Sequence, residues 1–142
     1  MASDGLENAS VNEPDSPTKN AEVYRRKYAR VAVETAVKYV RDGETNMKVG
    51  SSSDIGGGGI RLATDEDLPL GAVLVLHFPV PGVEREMMAK GRIVLSFYNA
   101  EDKRFLHGIA FTQIDPRDQE AIVSYVADEI ERLTLEGNPT DV

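Results

Sequence analysis

A small antiparallel β-barrel with one α-helix packed on it is the fold class this sequence predicts. Three observations lead there. About six short runs rich in β-branched residues succeed one another, each bounded by turn chemistry. The hydrophobic period then changes once, near residue 115, from that of a strand to that of a helix. The chain has 142 residues, of which 41% are apolar, which is enough for one core and short for two.

The elements follow in order. Val31, Val33, Thr35, Val37 and Tyr39 alternate with Ala32, Glu34, Ala36 and Lys38, which predicts one strand with a buried face. Arg41-Asp42-Gly43-Glu44 supplies a turn. Lys48 to Ser53 and Gly59 to Ala63 are short strands on either side of a glycine tract. Thr64 to Gly71 is an acidic loop carrying Pro69. Val73 to Phe78 is a compact apolar strand, stopped by Pro79, Pro81 and Gly82. Glu84 to Tyr98 holds a long strand with Ile93, Leu95 and Phe97 on one face. Asn99 to Lys103 makes a hairpin turn, and Phe105 to Phe111 returns with Leu106, Ile109 and Phe111. Asp115 then caps a helix, Pro116 takes its first position and Asp118 falls in its first turn. Ile122, Val123, Val126, Ile130 and Leu133 form one helical stripe, and Gly137, Asn138 and Pro139 end it.

Charge divides the chain further. The formal net charge is −8. Residues 1–22 carry −4 and few large apolar side chains, so they are expected to be a disordered acidic tail. Residues 23–50 carry +4, and residues 115–142 carry −6. The predicted organisation is a tail over 1–22, the barrel with its helix over 23–135, and a second disordered tail over 136–142. The acidic balance opposes indiscriminate coating of DNA, RNA or anionic lipid, yet leaves room for a local basic site. Neither a signal peptide nor a membrane-spanning stretch is expected, so the protein is read as cytoplasmic with no membrane insertion.

Catalytic chemistry has few candidates. Cysteine is absent, which removes thiol chemistry and thiolate metal sites. His77 and His107 each sit inside a predicted strand and read as sheet residues. Asp65, Glu66 and Asp67 read as a solvated acidic loop that matches no calcium motif. No enzyme, no metal and no cofactor is therefore expected. The tract Gly50-Ser51-Ser52-Ser53-Asp54-Ile55-Gly56-Gly57-Gly58-Gly59 lacks the Lys-Ser/Thr of a phosphate loop, and a strand follows it where a dinucleotide fold needs a helix. By itself it reads as a flexible or bulged turn. The run Tyr24-Arg25-Arg26-Lys27-Tyr28-Ala29-Arg30 offers planar guanidinium forks that suit phosphate oxygens and the guanine edge. Single-stranded nucleic acid stacking on Tyr24, Tyr28 and Tyr39 is a further possibility that the net charge opposes.

Taken together, Arg26-x-x-x-Arg30 ahead of the first strand and Asp54-Ile55-Gly56-Gly57-Gly58-Gly59-Ile60-Arg61-Leu62 at a strand junction resemble the PilZ domain family. That family binds the bacterial second messenger cyclic di-GMP. The resemblance implies a six-stranded antiparallel (split) barrel with a C-terminal helix over roughly residues 24–135. It implies a cyclic di-GMP receptor that changes the conformation of its linker and signals to a protein partner. It carries over Arg26 and Arg30 as grips on guanine edges and phosphates, with Arg25 beside them. It carries over Asp54 as an acceptor for guanine N–H groups or an orienter of arginine, and Gly59 as the closing glycine. Gly56 stands where the family has serine, and the lost hydroxyl implies roughly a tenfold weaker grip at about 0.5–1.5 kcal/mol. The same substitution makes a PilZ-like interaction module that no longer binds the nucleotide the alternative expectation.

Overall fold

The computed structural model describes residues 28–136. Within them lie seven strands and one helix: β1 (Arg30–Ala32), β2 (Ala36–Arg41), β3 (Lys48–Gly56), β4 (Gly59–Thr64), β5 (Val73–Phe78), β6 (Met87–Asn99), β7 (Arg104–Ile114) and α1 (Pro116–Glu136). Every pairing is antiparallel, in the order β1-β3-β2-β5-β6-β7-β4. An added β3–β4 pairing closes β2 to β7 into a six-stranded barrel. Mainly β, six-stranded and closed, with one C-terminal helix, is the predicted class. The expected N-terminal tail over 1–22 lies outside the described residues, as does all but Glu136 of the C-terminal tail expected over 136–142, and Glu136 is the last residue of α1.

The predicted first strand is two pieces. Ala32 pairs with Asp54, but Ala36 pairs with Ser51, so the register slips by one residue between them. Ser52 accounts for the slip. Its hydroxyl accepts from the Thr35 N–H at 3.1 Å and donates to the Val33 carbonyl. A side chain thus serves two backbone groups that the ladder leaves unpaired. The burial alternation survives the slip: Val31, Val33, Val37 and Tyr39 all face the core.

Two other sequence readings need correcting. Ile93 is buried, but Leu95 and Phe97 are exposed. Ile93 pairs with Ile109 and Leu95 with Gly108, so Val94 is an extra residue in β6. This β-bulge reverses which side chains face inward, and Ser96 rather than Leu95 turns to the interior end of the strand. On β7 the inward set is His107, Ile109 and Phe111, with Leu106 half-buried on the other side. The helix stripe is likewise only half used. Ile122 and Val126 enter the core, Val123 lies half-exposed beside the Gly57 turn, and Ile130 and Leu133 remain exposed because the helix runs on past the barrel.

The core joins Val37, Leu62, Leu74, Leu76 and Met87 from the barrel wall to Ile122 and Val126 of α1. Phe78 and Phe111 stack inside it with centroids 6.1 Å apart. Two devices aim the helix. The Asp115 carboxylate accepts from the Arg117 N–H at 2.8 Å and caps the first turn. Asp118, buried, accepts from Arg85 through both Nε (3.0 Å) and Nη2 (2.7 Å), which ties the helix to the segment between β5 and β6.

One end of the barrel holds a polar network. The fully buried His107 ring meets Thr64 Oγ1 at 3.0 Å through Nε2 and Ser96 Oγ at 2.9 Å through Nδ1. Burial pushes the His107 pKa below its ordinary value. Nearby, the Tyr39 hydroxyl donates to Glu66 at 2.7 Å, and Lys48 donates to the same carboxylate at 3.0 Å. These bonds hold Glu66 below the usual carboxylate range, the Tyr39 bond contributing most. Burial and the Glu66 bond together raise the Tyr39 phenol.

His107 makes stability depend on pH. The folded chain takes up this proton at lower pH than the unfolded chain, which does so below about pH 6.5. Stability is therefore complete above that value and falls as pH drops from it towards the lower folded pKa. Thermal unfolding scans from pH 7.5 to 5.5 should show a falling midpoint, and His107→Gln should flatten that slope while lowering the midpoint throughout.

Candidate functional site

The candidate residues meet on the outer face of the barrel, across two neighbouring rungs of the sheet. One rung reads Arg30–Gly56–Gly59–Ala110–Arg92 through β1, β3, β4, β7 and β6. The next reads Ala32–Asp54–Arg61–Gly108–Leu95 through the same strands. Glycine or alanine fills four of the central positions. The sheet therefore has a trough here, where other residues would raise side chains.

The glycine tract is structured rather than a flexible linker. Gly56 ends β3, Gly59 begins β4, and Gly57-Gly58 make the two-residue connection. A Cβ on Gly59 would run into the Ile109 carbonyl. A Cβ on Gly56 would run into the Ala29 carbonyl and come within 2.8 Å of Arg30 Cγ. The departure from serine at position 56 thus has a local reason: β1 lies too close to β3 for any side chain there. Gly57 and Gly58 lie under the Tyr28 ring, and Gln119 of α1 donates to the Gly57 carbonyl at 3.0 Å.

Arg30 reaches from the first rung to Asp54 on the second, with Nη1 3.0 Å from Oδ1. Arg61 approaches the other carboxylate oxygen, Nε to Oδ2 3.7 Å. One carboxylate is therefore shared by two guanidinium groups, which leaves one net positive charge. All three side chains are a quarter to a third exposed, at 32% for Arg30, 25% for Asp54 and 37% for Arg61. They are neither sealed in the protein nor fully screened by water.

Beside them lies a cavity of about 270 Å³, lined by Tyr28, Arg30, Gly58, Gly59, Arg61, Val94, Leu95, Gly108, Ile109 and Ala110. Its character is cationic at one edge and apolar over the floor. The Val94 bulge turns both Val94 and Leu95 outward to wall it. A larger hollow of about 560 Å³ lies between Arg85, Lys90 and the start of α1. Its cations already have carboxylate partners: Arg85 with Asp118, Arg117 with Asp115 and Lys90 with Asp42. Among the described residues no three His, Asp or Glu side chains are placed to hold a metal ion. Nor is any helix there long and apolar enough to cross a membrane.

This geometry can be set against known proteins. The PilZ domain model matches residues 24–128. The chain belongs to the PilZ domain family. Its PilZ domain superposes on the Bacillus subtilis inhibitor of motility MotI/DgrA with a TM-score of 0.68 at 20% identity, covering 76% of this chain and 52% of that one. It matches the MrkH–c-di-GMP complex of K. pneumonia with a TM-score of 0.62 at 18% identity, covering 79% and 55%. It matches the c-di-GMP-bound PilZ domain of YcgR from Escherichia coli with a TM-score of 0.55 at 9% identity, covering 80% and 98%. The chain spans about half the length of MotI/DgrA and MrkH. No curated protein matches the sequence. At these identities the likeness to solved structures establishes the fold.

Of the expected site residues, the PilZ domain brings Arg30, Asp54, Gly56 and Gly59 onto the two rungs. Arg25 and Arg26 lie outside the described residues. Arg61, Tyr28, Leu95 and Gly108 also line the cavity and were not expected there. Arg61 carried a signal in the sequence, as the lone charge between Ile60 and Leu62, which are buried. Leu95 and Gly108 carried none, because the bulge that aims one and the rung that places the other are tertiary.

The two close glycines give a stability test. Gly59→Ala should cost about 1–3 kcal/mol, since β7 must move away from β4 to admit the methyl group. Gly56→Ser should also destabilise, because its Cβ displaces β1 and Arg30. Urea unfolding of both variants measures this, and a neutral Gly56→Ser would contradict the close approach of β1.

Proposed function

We propose that this PilZ domain is a receptor for cyclic di-GMP and not an enzyme. The observation that carries the reading is the trough itself, a side-chain-free stretch of sheet edged by Arg30, Asp54 and Arg61 and floored by apolar surface. It lies at the two sequence motifs by which the chain resembles its family. The E. coli YcgR PilZ domain and K. pneumonia MrkH, whose folds this chain shares, are both described with c-di-GMP. That supports the same ligand here.

The chemistry suits the shape. Cyclic di-GMP offers two phosphates and two guanine faces. A guanidinium fork donates two parallel N–H bonds to phosphate oxygens or to guanine O6 and N7. Asp54 holds Arg30 in position before the ligand arrives, which reduces the side-chain entropy lost on binding. Arg25 and Arg26 supply further cations from the segment preceding β1, where we place the closure of the linker over the ligand. Tyr28, against Gly57 and Gly58, joins that segment to the β3–β4 turn, and Gln119 joins the turn to α1. Ligand-driven movement of the linker would thereby present a changed surface to a protein partner.

Titration calorimetry with cyclic di-GMP tests the reading. The wild type should bind, and Arg30→Ala should lose at least about tenfold in affinity, the worth of one charged hydrogen bond at about 1.5–3 kcal/mol. No heat from the wild type at tens of micromolar protein would replace this reading with the interaction module that ignores the nucleotide, which the bare backbone at Gly56 favours.

A further inference from the structure

Arg61 stands apart from the expected motif residues in one respect. Its Nε is buried, yet it makes no hydrogen bond within the described residues. The nearest carboxylate oxygen, Asp54 Oδ2, is 3.7 Å away, beyond hydrogen-bond reach. A buried, charged donor left without an acceptor is costly, and few exist in folded proteins. Arg61 also lines the 270 Å³ cavity, opposite Gly108 on its rung, so no side chain at that position stands over it. Position 56, across the trough, cannot supply a donor of its own, since any side chain there would strike β1.

We infer that Arg61 is a third ligand-binding cation of this site, and that the exposed end of its guanidinium, rather than the shielded Nε, donates to an anionic oxygen or guanine acceptor of the bound cyclic dinucleotide. It takes over the donor that a serine at position 56 would have given. This rests on the proposed receptor function and adds a residue to it. Asp54 then has two tasks. It bonds to Arg30 directly, and it faces the shielded Arg61 Nε at 3.7 Å, which leaves the outer end of that guanidinium for a ligand. The floor at Gly108 and Ala110 lets a flat ligand come down to the level of that donor.

The experiment is a cyclic di-GMP titration of the full chain as wild type, Arg30→Ala, Arg61→Ala and Arg61→Lys, with thermal unfolding of each. It is joined by the Arg side-chain Nε–H spectrum of the wild type with and without ligand. Arg61→Ala should weaken binding at least about tenfold. Arg61→Lys keeps the charge but lacks the planar guanidinium fork, so it should recover only part of the loss. In the wild type, the Arg61 Nε–H resonance, as a reporter of its guanidinium, should shift on saturation. Wild-type affinity in either Arg61 variant, or an Nε–H signal unmoved by saturating ligand, overturns the inference while leaving the receptor reading intact. Absence of binding by the wild type overturns the receptor reading and this inference with it. If Arg61→Ala proves unfolded, Arg61→Lys and the wild-type spectrum still decide.

Discussion

The seam between β3 and β4 is the constraint on which the rest depends. The barrel closes only because these two strands pair with each other as well as with β2, β1 and β7. At Gly56 the backbone of Ala29 and Arg30 presses against β3, and at Gly59 the carbonyl of Ile109 presses against β4. Neither approach tolerates a Cβ. The trough on the outer face is the direct result. Glycine is needed where Ala29 and Arg30 crowd Gly56 and where β7 crowds Gly59, at the two ends of the β3–β4 connection, so close strand packing and a low-walled trough go together.

Charge is arranged around that trough economically. The chain as a whole is acidic, with a net −8, yet the trough has two guanidiniums for one carboxylate. Two other arginines are committed to the fold. Arg85 holds Asp118 and so the first turn of the helix, and Arg132 bridges Glu129 and Glu136 on its outer half. The larger hollow near Arg85 is therefore a poor anion site despite its size. Available charge, not volume, distinguishes the smaller cavity. The same distinction lets an acidic protein carry a local cationic site, because fields beyond about 10 Å are screened in ordinary salt.

The polar end of the barrel shows how a sequence can mislead about a single residue. His107 read as an ordinary strand residue, and it is one, but it faces the interior. Thr64 and Ser96 satisfy both ring nitrogens, so burial costs less than the type of residue would indicate. Ser96 can do so because the Val94 bulge turns it inward. The same bulge sends Leu95 out to the cavity wall, so one extra residue in β6 serves the barrel interior on one face and the site on the other.

Local chemistry alone determined much of this protein. Alternating β-branched runs, turn residues at Gly43 and Gly82 and the Asp115-Pro116 start specified six barrel strands and a helix in their observed order. These signals depend only on neighbours within a few residues. The motif positions Arg30, Asp54, Gly56 and Gly59 were legible for the same reason. Tertiary structure decided the rest. The register slip at Ser52, the reversal at Val94 and the half-used stripe of α1 each depend on what a distant strand offers. The pairing of Arg61 with Gly108, and the reason Gly56 bears no side chain, exist only when strands far apart in the chain become neighbours. Period and composition say which face of a strand is apolar, but only the closed barrel fixes which backbones approach too closely for a side chain.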